Sequence, residues 1–212
     1  EPFLLNSFHP DICYVKDIGG NLLRTKMGDY NSIIVLSGFL LGLSVEEVVK
    51  LFNGELFQRF GFFDLWIEDV KRLQEKNSLK LNWAYLLRDE SRSGSFMFTF
   101  NHPKSSILFE ISKQILKYLG VGYHSLSSNC IPSYLANGPV WPVYPDIAER
   151  FTMKGDFFFK PADSWSVFNL KTFVETSFEE YSKLGIKENS LTVFGCGNRF
   201  EQVMAVLKGK LS

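Results

Sequence analysis

The sequence has 212 residues, 45% of them hydrophobic, which is enough to form one sizeable core. Its 23 basic and 23 acidic residues give a formal net charge of zero, so no overall field attracts nucleic acid or an anionic membrane. The three cysteines are an odd number without a C-x-x-C pair, which favours reduced thiols in the cytoplasm over a disulfide scaffold or a structural zinc site. No apolar run reaches the roughly 18 residues of a transmembrane helix, so we expect no integral membrane segment.

Helical patterns dominate the first ninety residues, after one extended segment at residues 12–15. The apolar stretch 29–42 predicts a buried helix that ends near a glycine. Ser44 and Glu47 have the spacing of a capping box, which predicts that a helix begins there. Residues 64–76 and 79–90 also show apolar side chains at helical spacing.

The second half of the sequence mixes helical patterns with a long irregular region. The aromatic run 93–100 predicts a strand, and apolar residues recur at helical spacing from 104 to 119. Residues 121–165 contain five prolines and predict an ordered loop with one short helix near 147–151. A further helix and a strand-turn-helix unit follow. The predicted fold is mainly α with a small β-sheet (α+β), in one compact domain on which residues 166–212 pack.

Two of the three histidines, His9 and His102, stand directly before proline. Proline disfavours the α conformation in the preceding residue and suits the first helical position, so we expect Pro103 to start a helix with His102 at its mouth. The first amides of a helix lack internal acceptors and carry about half a positive charge. An anion-binding cradle is therefore predicted from Asn101, His102, Lys104, Ser105 and Ser106. The alternative is that Asn101 or His102 caps the helix and Lys104 is solvated.

Other candidate residues have simpler interpretations beside the functional ones. Tyr134, Trp141 and Tyr144 predict either an aromatic wall for adenine or sugar or the packing of a loop. Gly195-Cys196-Gly197 is interpreted as a tight turn before a helix, because it lacks the third glycine of a dinucleotide fingerprint. His124 is expected to be exposed or structural. No cluster of histidine and acidic residues has metal-ligand spacing, so no metal site is predicted.

Several segments, in this order, resemble the WcbI-type polysaccharide-biosynthesis family. They are "SFHPDICYV" (7–15), "GLSVEEVVKLFN" (42–53), "GFFDLW" (61–66), "FMFTFNHPKSSILFEISKQIL" (96–116) and "WPVYPDIAERF" (141–151) followed by "GDFFFK" (155–160). On this resemblance residues 1–165 form the WcbI-like domain. The family pattern opens with a strand and a Cys-Gln turn that this sequence does not contain, and no nucleophile is carried onto Cys196. Because the sequence begins at Glu1 rather than methionine, we expect a piece of a longer protein.

The resemblance implies a coenzyme A-dependent O-acetyltransferase that acts on a sugar or polysaccharide precursor in capsule or surface-glycan biosynthesis. Its expected cofactor is coenzyme A or acetyl-coenzyme A, and its expected partner is a sugar or glycan acceptor. The alternative is a non-catalytic glycan-binding or assembly module of a larger biosynthetic protein. Homo-oligomerisation is left open.

The implied site uses the residues around the second His-Pro pair. Lys104, Ser105 and Ser106 would hold a phosphate of coenzyme A, with Tyr144 in the wall beside it. His102, or else His9, would take the proton from the attacking sugar hydroxyl. Asn101 or backbone amides would stabilise the oxyanion.

Overall fold

The computed structural model describes residues 4–75, 81–92, 94–122, 131–162 and 164–211. The strands in this part of the chain are β1 Ile12–Asp17, β2 Asn31–Ser32, β3 Met97–Thr99, β4 His102–Pro103 and β5 Leu191–Phe194. The α-helices are α1 Ile33–Leu40, α2 Val45–Val49, α3 Gly54–Arg59, α4 Leu65–Glu75, α5 Trp83–Ser91, α6 Ser105–Tyr118, α7 Pro145–Arg150, α8 Leu170–Lys183 and α9 Arg199–Leu211. The prediction of a mainly α fold with a small sheet is confirmed.

The larger sheet has three strands in the order β2-β1-β5, and both pairings are antiparallel. Tyr14 of β1 pairs with Phe194 of β5, so the strand near residue 194 completes a sheet that begins near residue 12. The smaller sheet is the hairpin of β3 and β4, in which Thr99 pairs with His102. This hairpin places residues 101–104 directly before α6.

Helix α1 lies at the centre of the core, and its apolar side chains from Ile33 to Leu36 are buried. It contacts α2, α8 and α9, so the C-terminal segments share one core with the N-terminal ones. Gly38 permits the close approach of α2, because a Cβ atom there would lie 2.3 Å from Cγ2 of Val48. Among the described residues, no helix is long and apolar enough to cross a membrane.

Helix α7 ends in a Schellman motif that has threonine where glycine is the usual residue. The Thr152 N–H donates to the Glu149 carbonyl, and the Met153 N–H donates to the Ala148 carbonyl. Thr152 has φ +57°, in the left-handed region that a β-branched residue rarely adopts. The corresponding position after α8 is Gly185, with φ +62°. The threonine is therefore held in a strained conformation.

Thr152→Gly is expected to stabilise the fold, because it removes this strain. A left-handed backbone conformation costs an L-residue roughly 1–2 kcal/mol. Glycine avoids this cost but destabilises the fold by roughly 0.5–1 kcal/mol, because its unfolded chain has more conformational entropy to lose. The net gain, of the order of 1 kcal/mol, should raise Tm by about 2–4 °C in a thermal melt. Gly185→Thr is the matched control, and it should lower Tm. A lower Tm for Thr152→Gly would show that the threonine side chain makes contacts worth more than the strain.

Candidate functional site

The segment from Asn101 to Lys104 forms the turn of the β3–β4 hairpin and the entry to α6. The Lys104 N–H donates to the Phe96 carbonyl at 2.8 Å, which keeps this segment in the hairpin. Helix α6 therefore begins at Ser105, with Lys104 as its N-cap residue and without a side-chain cap. The expectation that Pro103 starts the helix is wrong, because Pro103 belongs to β4. Neither Asn101 nor His102 caps the helix.

Asn101 is the centre of a network of polar side chains. Its Oδ1 accepts hydrogen bonds from the Tyr30 hydroxyl at 2.7 Å and from Thr99 Oγ1 at 2.9 Å. Its Nδ2 donates to the Tyr14 hydroxyl at 3.0 Å. Burial and the neighbouring Tyr30 raise the pKa of Tyr14, so the Tyr14 phenol is neutral at physiological pH. Asn101 thus fixes the positions of two phenols beside His102.

His102 contacts this network through Nε2, which lies 3.2 Å from the Tyr30 hydroxyl oxygen. Because the Tyr30 proton points at Asn101, the Tyr30 oxygen is an acceptor, and we assign the imidazole proton to Nε2. This tautomer leaves a lone pair on Nδ1, which is buried without a partner in the described chain. Burial also lowers the pKa of His102, so the imidazole is neutral near pH 7.

Lys104 is a partly buried cation beside His102. Burial lowers the pKa of its ammonium group, and Nζ lies 5.5 Å from the centre of the Phe98 ring. Within the part of the chain that the structure describes, Lys104 forms no ion pair, whereas Lys113 on the same helix pairs with Glu110. A desolvated charge without a counter-ion is costly, so this position favours an anion.

The two serines at the start of α6 already have contacts within the protein. The Ser105 N–H donates to Ser133 Oγ at 3.1 Å, and Ser105 Oγ donates to the Pro132 carbonyl at 2.9 Å. The Ser106 side chain hydrogen bonds to the carboxyl group of Glu90. The loop around residue 132 therefore covers one side of the start of α6. The ammonium group of Lys104 is then the main hydrogen-bond donor at this helix start that a ligand could reach.

His9 lies in the core, close enough to Lys104 for the charge of that residue to help lower the pKa of its imidazole. Its side chain is 1% exposed, and Nε2 donates to the Trp141 carbonyl at 2.9 Å. Burial lowers the pKa of His9 from 6.5 to about 3, so this imidazole is neutral. The structure does not bring His9 together with His102, and it gives His9 a structural position.

Tyr144 is also buried, in a polar network around Asp11. Its hydroxyl donates to Asp11 Oδ2 at 2.9 Å, and the same oxygen accepts from Ser32 Oγ at 2.6 Å. Burial raises the pKa of Asp11 from 3.8 to about 6. Trp141 is buried beside this network, and Tyr134 is 79% exposed. The three aromatic residues therefore do not form a common wall, since Trp141 and Tyr144 are packed in the core and Tyr134 is at the surface.

The remaining candidates have structural surroundings or lie outside the described residues. Cys13 and Cys196 are free and buried, and Cys130 and His124 lie outside the described ranges. Gly195 has φ +81° and lies against the Tyr14 ring, as the predicted turn before α9 requires. No group of three or more His, Cys, Asp or Glu residues in the described chain is arranged to hold a metal ion.

Sequence reasoning missed Tyr14, Tyr30 and Thr99, which complete the network. Tyr30 lies 71 positions before Asn101, and Tyr14 lies 87 positions before it. Each of the two tyrosines is a single polar aromatic residue in or next to a strand, without a motif. No local signal distinguishes them from core tyrosines.

These features define a mainly α protein of the α+β class, with a candidate polar site where a short hairpin meets a helix. The model of the family described as "Polysaccharide biosynthesis enzyme WcbI" matches residues 2–124, more than half of the sequence. The chain belongs to the WcbI family. No curated protein matches the sequence.

One solved structure is similar to the whole described fold. It is described as WcbI, a polysaccharide biosynthesis enzyme, in its native form without a disulfide bond between coenzyme A and a cysteine of that protein. The TM-score is 0.61 and the sequence identity is 13%, so the likeness concerns the fold. The match covers 96% of this chain and 66% of the other, so this chain spans just under two thirds of that protein.

Proposed function

We propose that this chain takes part in coenzyme A-dependent O-acetyl transfer to a sugar or polysaccharide precursor in capsule or surface-glycan biosynthesis. Membership of the WcbI family supports a role in polysaccharide biosynthesis. The coenzyme A named for the similar structure supports the cofactor. The observation that carries the proposal is the partly buried Lys104, which has no ion pair among the described residues, beside the neutral His102.

The residues at the hairpin fit a phosphorylated cofactor. Lys104 offers an ammonium group without a counter-ion in the described chain. A phosphate of coenzyme A would form an ion pair and a charge-assisted hydrogen bond with it. Acetyl-coenzyme A supplies an acyl group activated as a thioester. Burial around Lys104 strengthens the attraction, because less water screens it.

His102 is the proposed general base. Its neutral imidazole has an unpaired lone pair on Nδ1, and rotation of the ring about Cβ–Cγ would present this nitrogen to a sugar hydroxyl. This rotation would break the Nε2–H bond to Tyr30, and the bond would form again when the ring turns back. Asn101 uses one hydrogen of Nδ2 for Tyr14, so the second is available to stabilise an oxyanion.

One observation favours a second function, that of a non-catalytic glycan-binding or assembly module. Both nitrogens of His102 face protein atoms, because Nε2 contacts Tyr30 and Nδ1 is buried. In this second interpretation the imidazole holds the hairpin and takes no proton from a substrate. Binding of a glycan without transfer of an acetyl group would support this second function.

Lys104→Met is expected to weaken the binding of coenzyme A. The methionine keeps the packing against Phe98 but removes the charge-assisted hydrogen bond, which is worth roughly 1.5–3 kcal/mol, or about 10- to 150-fold in Kd. Isothermal titration of the wild-type and variant chains with coenzyme A at fixed salt measures the change.

Lys113→Met is the matched control on the same helix. Lys113 is already paired with Glu110, so its loss should leave the Kd for coenzyme A unchanged. An equal Kd for the wild-type chain and Lys104→Met would remove Lys104 from the site. A wild-type chain that binds no coenzyme A would contradict the proposed cofactor.

A further inference from the structure

A pocket of about 500 Å³ lies between α4, α5 and α7. It shares no residue with the network around His102. Its volume is within the range of small-molecule sites, which runs from about 300 to 1,000 Å³. Its lining combines an aromatic wall, two arginines and a buried serine, in addition to Ile67, which is 71% exposed at α4.

The aromatic wall consists of Phe62, Phe63, Trp66 and Phe151. Trp66 is held in place by Phe151, with ring centres 4.9 Å apart, and by a stacked contact with Phe8 on its inner side. Aromatic faces of this kind pack against the C–H groups of a sugar ring as well as against other apolar groups. The wall therefore gives the pocket a rigid apolar side.

Two guanidinium groups, of Arg88 and Arg150, line the same pocket. The Arg150 guanidinium stacks over the Phe63 ring at 3.7 Å, which orients its N–H groups. Across the described residues neither arginine forms an ion pair, whereas Arg72 and Arg92 each pair with an aspartate of their own helix. Since no carboxylate lines the pocket, both cations are available to an anion.

Ser7 adds a buried polar group to the pocket lining. Its side chain is 1% exposed, and its Oγ has no hydrogen-bond partner in the described part of the chain. The backbone N–H of Ser7 donates to Asp69 Oδ2 at 2.8 Å, so the residue is fixed in position. A buried hydroxyl without a hydrogen-bond partner is unfavourable, and a ligand hydroxyl in the pocket would supply that hydrogen bond. The strained Thr152 lines the pocket as well.

We propose that this pocket binds a sugar that carries a phosphate group. Guanidinium groups bind phosphate through two parallel hydrogen bonds, which would give a partner to the two arginines that form no ion pair within the described ranges. The aromatic wall would pack against the sugar ring, and Ser7 Oγ would bond to a sugar hydroxyl. The inference goes beyond the coenzyme A proposal and does not depend on it, because it uses none of the residues around Lys104.

The test is isothermal titration of the 212-residue chain with glucose 1-phosphate, UDP-glucose, glucose and inorganic phosphate. Binding of either phosphorylated sugar, at least tenfold tighter than glucose and phosphate alone, is the expected result. A preference for glucose 1-phosphate would identify a free sugar phosphate, and a preference for UDP-glucose would identify a nucleotide sugar. Failure of both to bind, or equally tight binding of glucose or of phosphate alone, would overturn the proposal.

Substitutions assign the binding to this pocket. Arg88→Gln and Arg150→Gln are each expected to raise the Kd at least tenfold, and both side chains are exposed, so the fold should survive. Two control variants should leave the Kd for the sugar phosphate unchanged. One is Arg92→Gln, because Arg92 is paired with Asp89, and the other is Lys104→Met, because Lys104 lies outside this pocket. Unchanged binding in the double variant of Arg88 and Arg150 would place the ligand elsewhere in the protein. Displacement of the sugar phosphate by coenzyme A in the Lys104→Met chain would show that the pocket binds the cofactor.

Discussion

The His9→Gln variant is expected to resist acid better than the wild-type protein. Burial lowers the pKa of His9 to about 3 in the folded chain, against 6.5 when it is exposed. Below pH 6.5 the unfolded chain takes up a proton that the folded chain cannot, so the free energy of unfolding falls until about pH 3. The loss is about 5 kcal/mol, because each pKa unit is worth about 1.4 kcal/mol. Glutamine removes this loss and keeps a donor for the Trp141 carbonyl.

Asp11 has the opposite pH dependence and provides the control. Burial raises its pKa to about 6, against 3.8 when exposed, so its contribution to stability is present below pH 3.8 and is lost as the pH rises through 6. This change, about 3 kcal/mol, partly cancels that of His9 in the wild-type protein. Urea denaturation between pH 4 and 6 should therefore show a weak pH dependence for the wild-type protein.

The two single variants should separate these contributions. His9→Gln should become more stable as the pH falls from 6 to 4, and Asp11→Asn should become less stable over the same range. Parallel pH profiles for the wild-type protein and His9→Gln would show that His9 does not titrate as its burial implies.

His102→Gln is expected to lower the rate of acetyl transfer by roughly 10²- to 10⁴-fold, the usual loss when a general base is removed. The glutamine amide can still donate to the Tyr30 hydroxyl, so the hairpin and Tm should be preserved. The Kd for coenzyme A should also stay the same, because Lys104 remains. The measurement is acetyl transfer from acetyl-coenzyme A to sugar acceptors, with Kd from titration.

Tyr30→Phe is the companion variant for a positioning role. It removes the hydroxyl that joins His102 to Asn101, so the rate should fall less and the pH profile should shift. Transfer by His102→Gln at the wild-type rate would end the assignment of His102 as the base and would favour the non-catalytic module.

The elements that could be predicted from the sequence are those that local contacts form. The capping box of α2 is an example, since Ser44 Oγ accepts from the Glu47 N–H and the Glu47 carboxylate accepts from the Ser44 N–H. Both partners lie three residues apart, so their spacing in the sequence is enough to predict the contact. The same holds for the turn at Gly195, where a glycine after a strand marks the end of β5.

The site depends on contacts that no local pattern contains. The His-Pro-Lys-Ser sequence suits a helix start and so predicts a helix at Pro103, yet the Phe96 carbonyl holds Lys104 in a hairpin. His9 resembles His102 in sequence, but its partner Trp141 lies 132 positions away in the core. The two histidines differ in how deeply they are buried. This difference depends on tertiary packing, which cannot be predicted from a single sequence.

The pairing of β1 with β5 has a consequence for how the chain acquires its fold. Val15 lies opposite Val193, so nearly the whole sequence separates two neighbouring strands. Contacts between such distant segments form late and slowly, because the loop between them must close first. During synthesis, β1 would emerge from the ribosome long before its partner and present an unpaired apolar edge. That edge is where we expect chaperone binding or aggregation to compete with folding until residues 191–194 arrive.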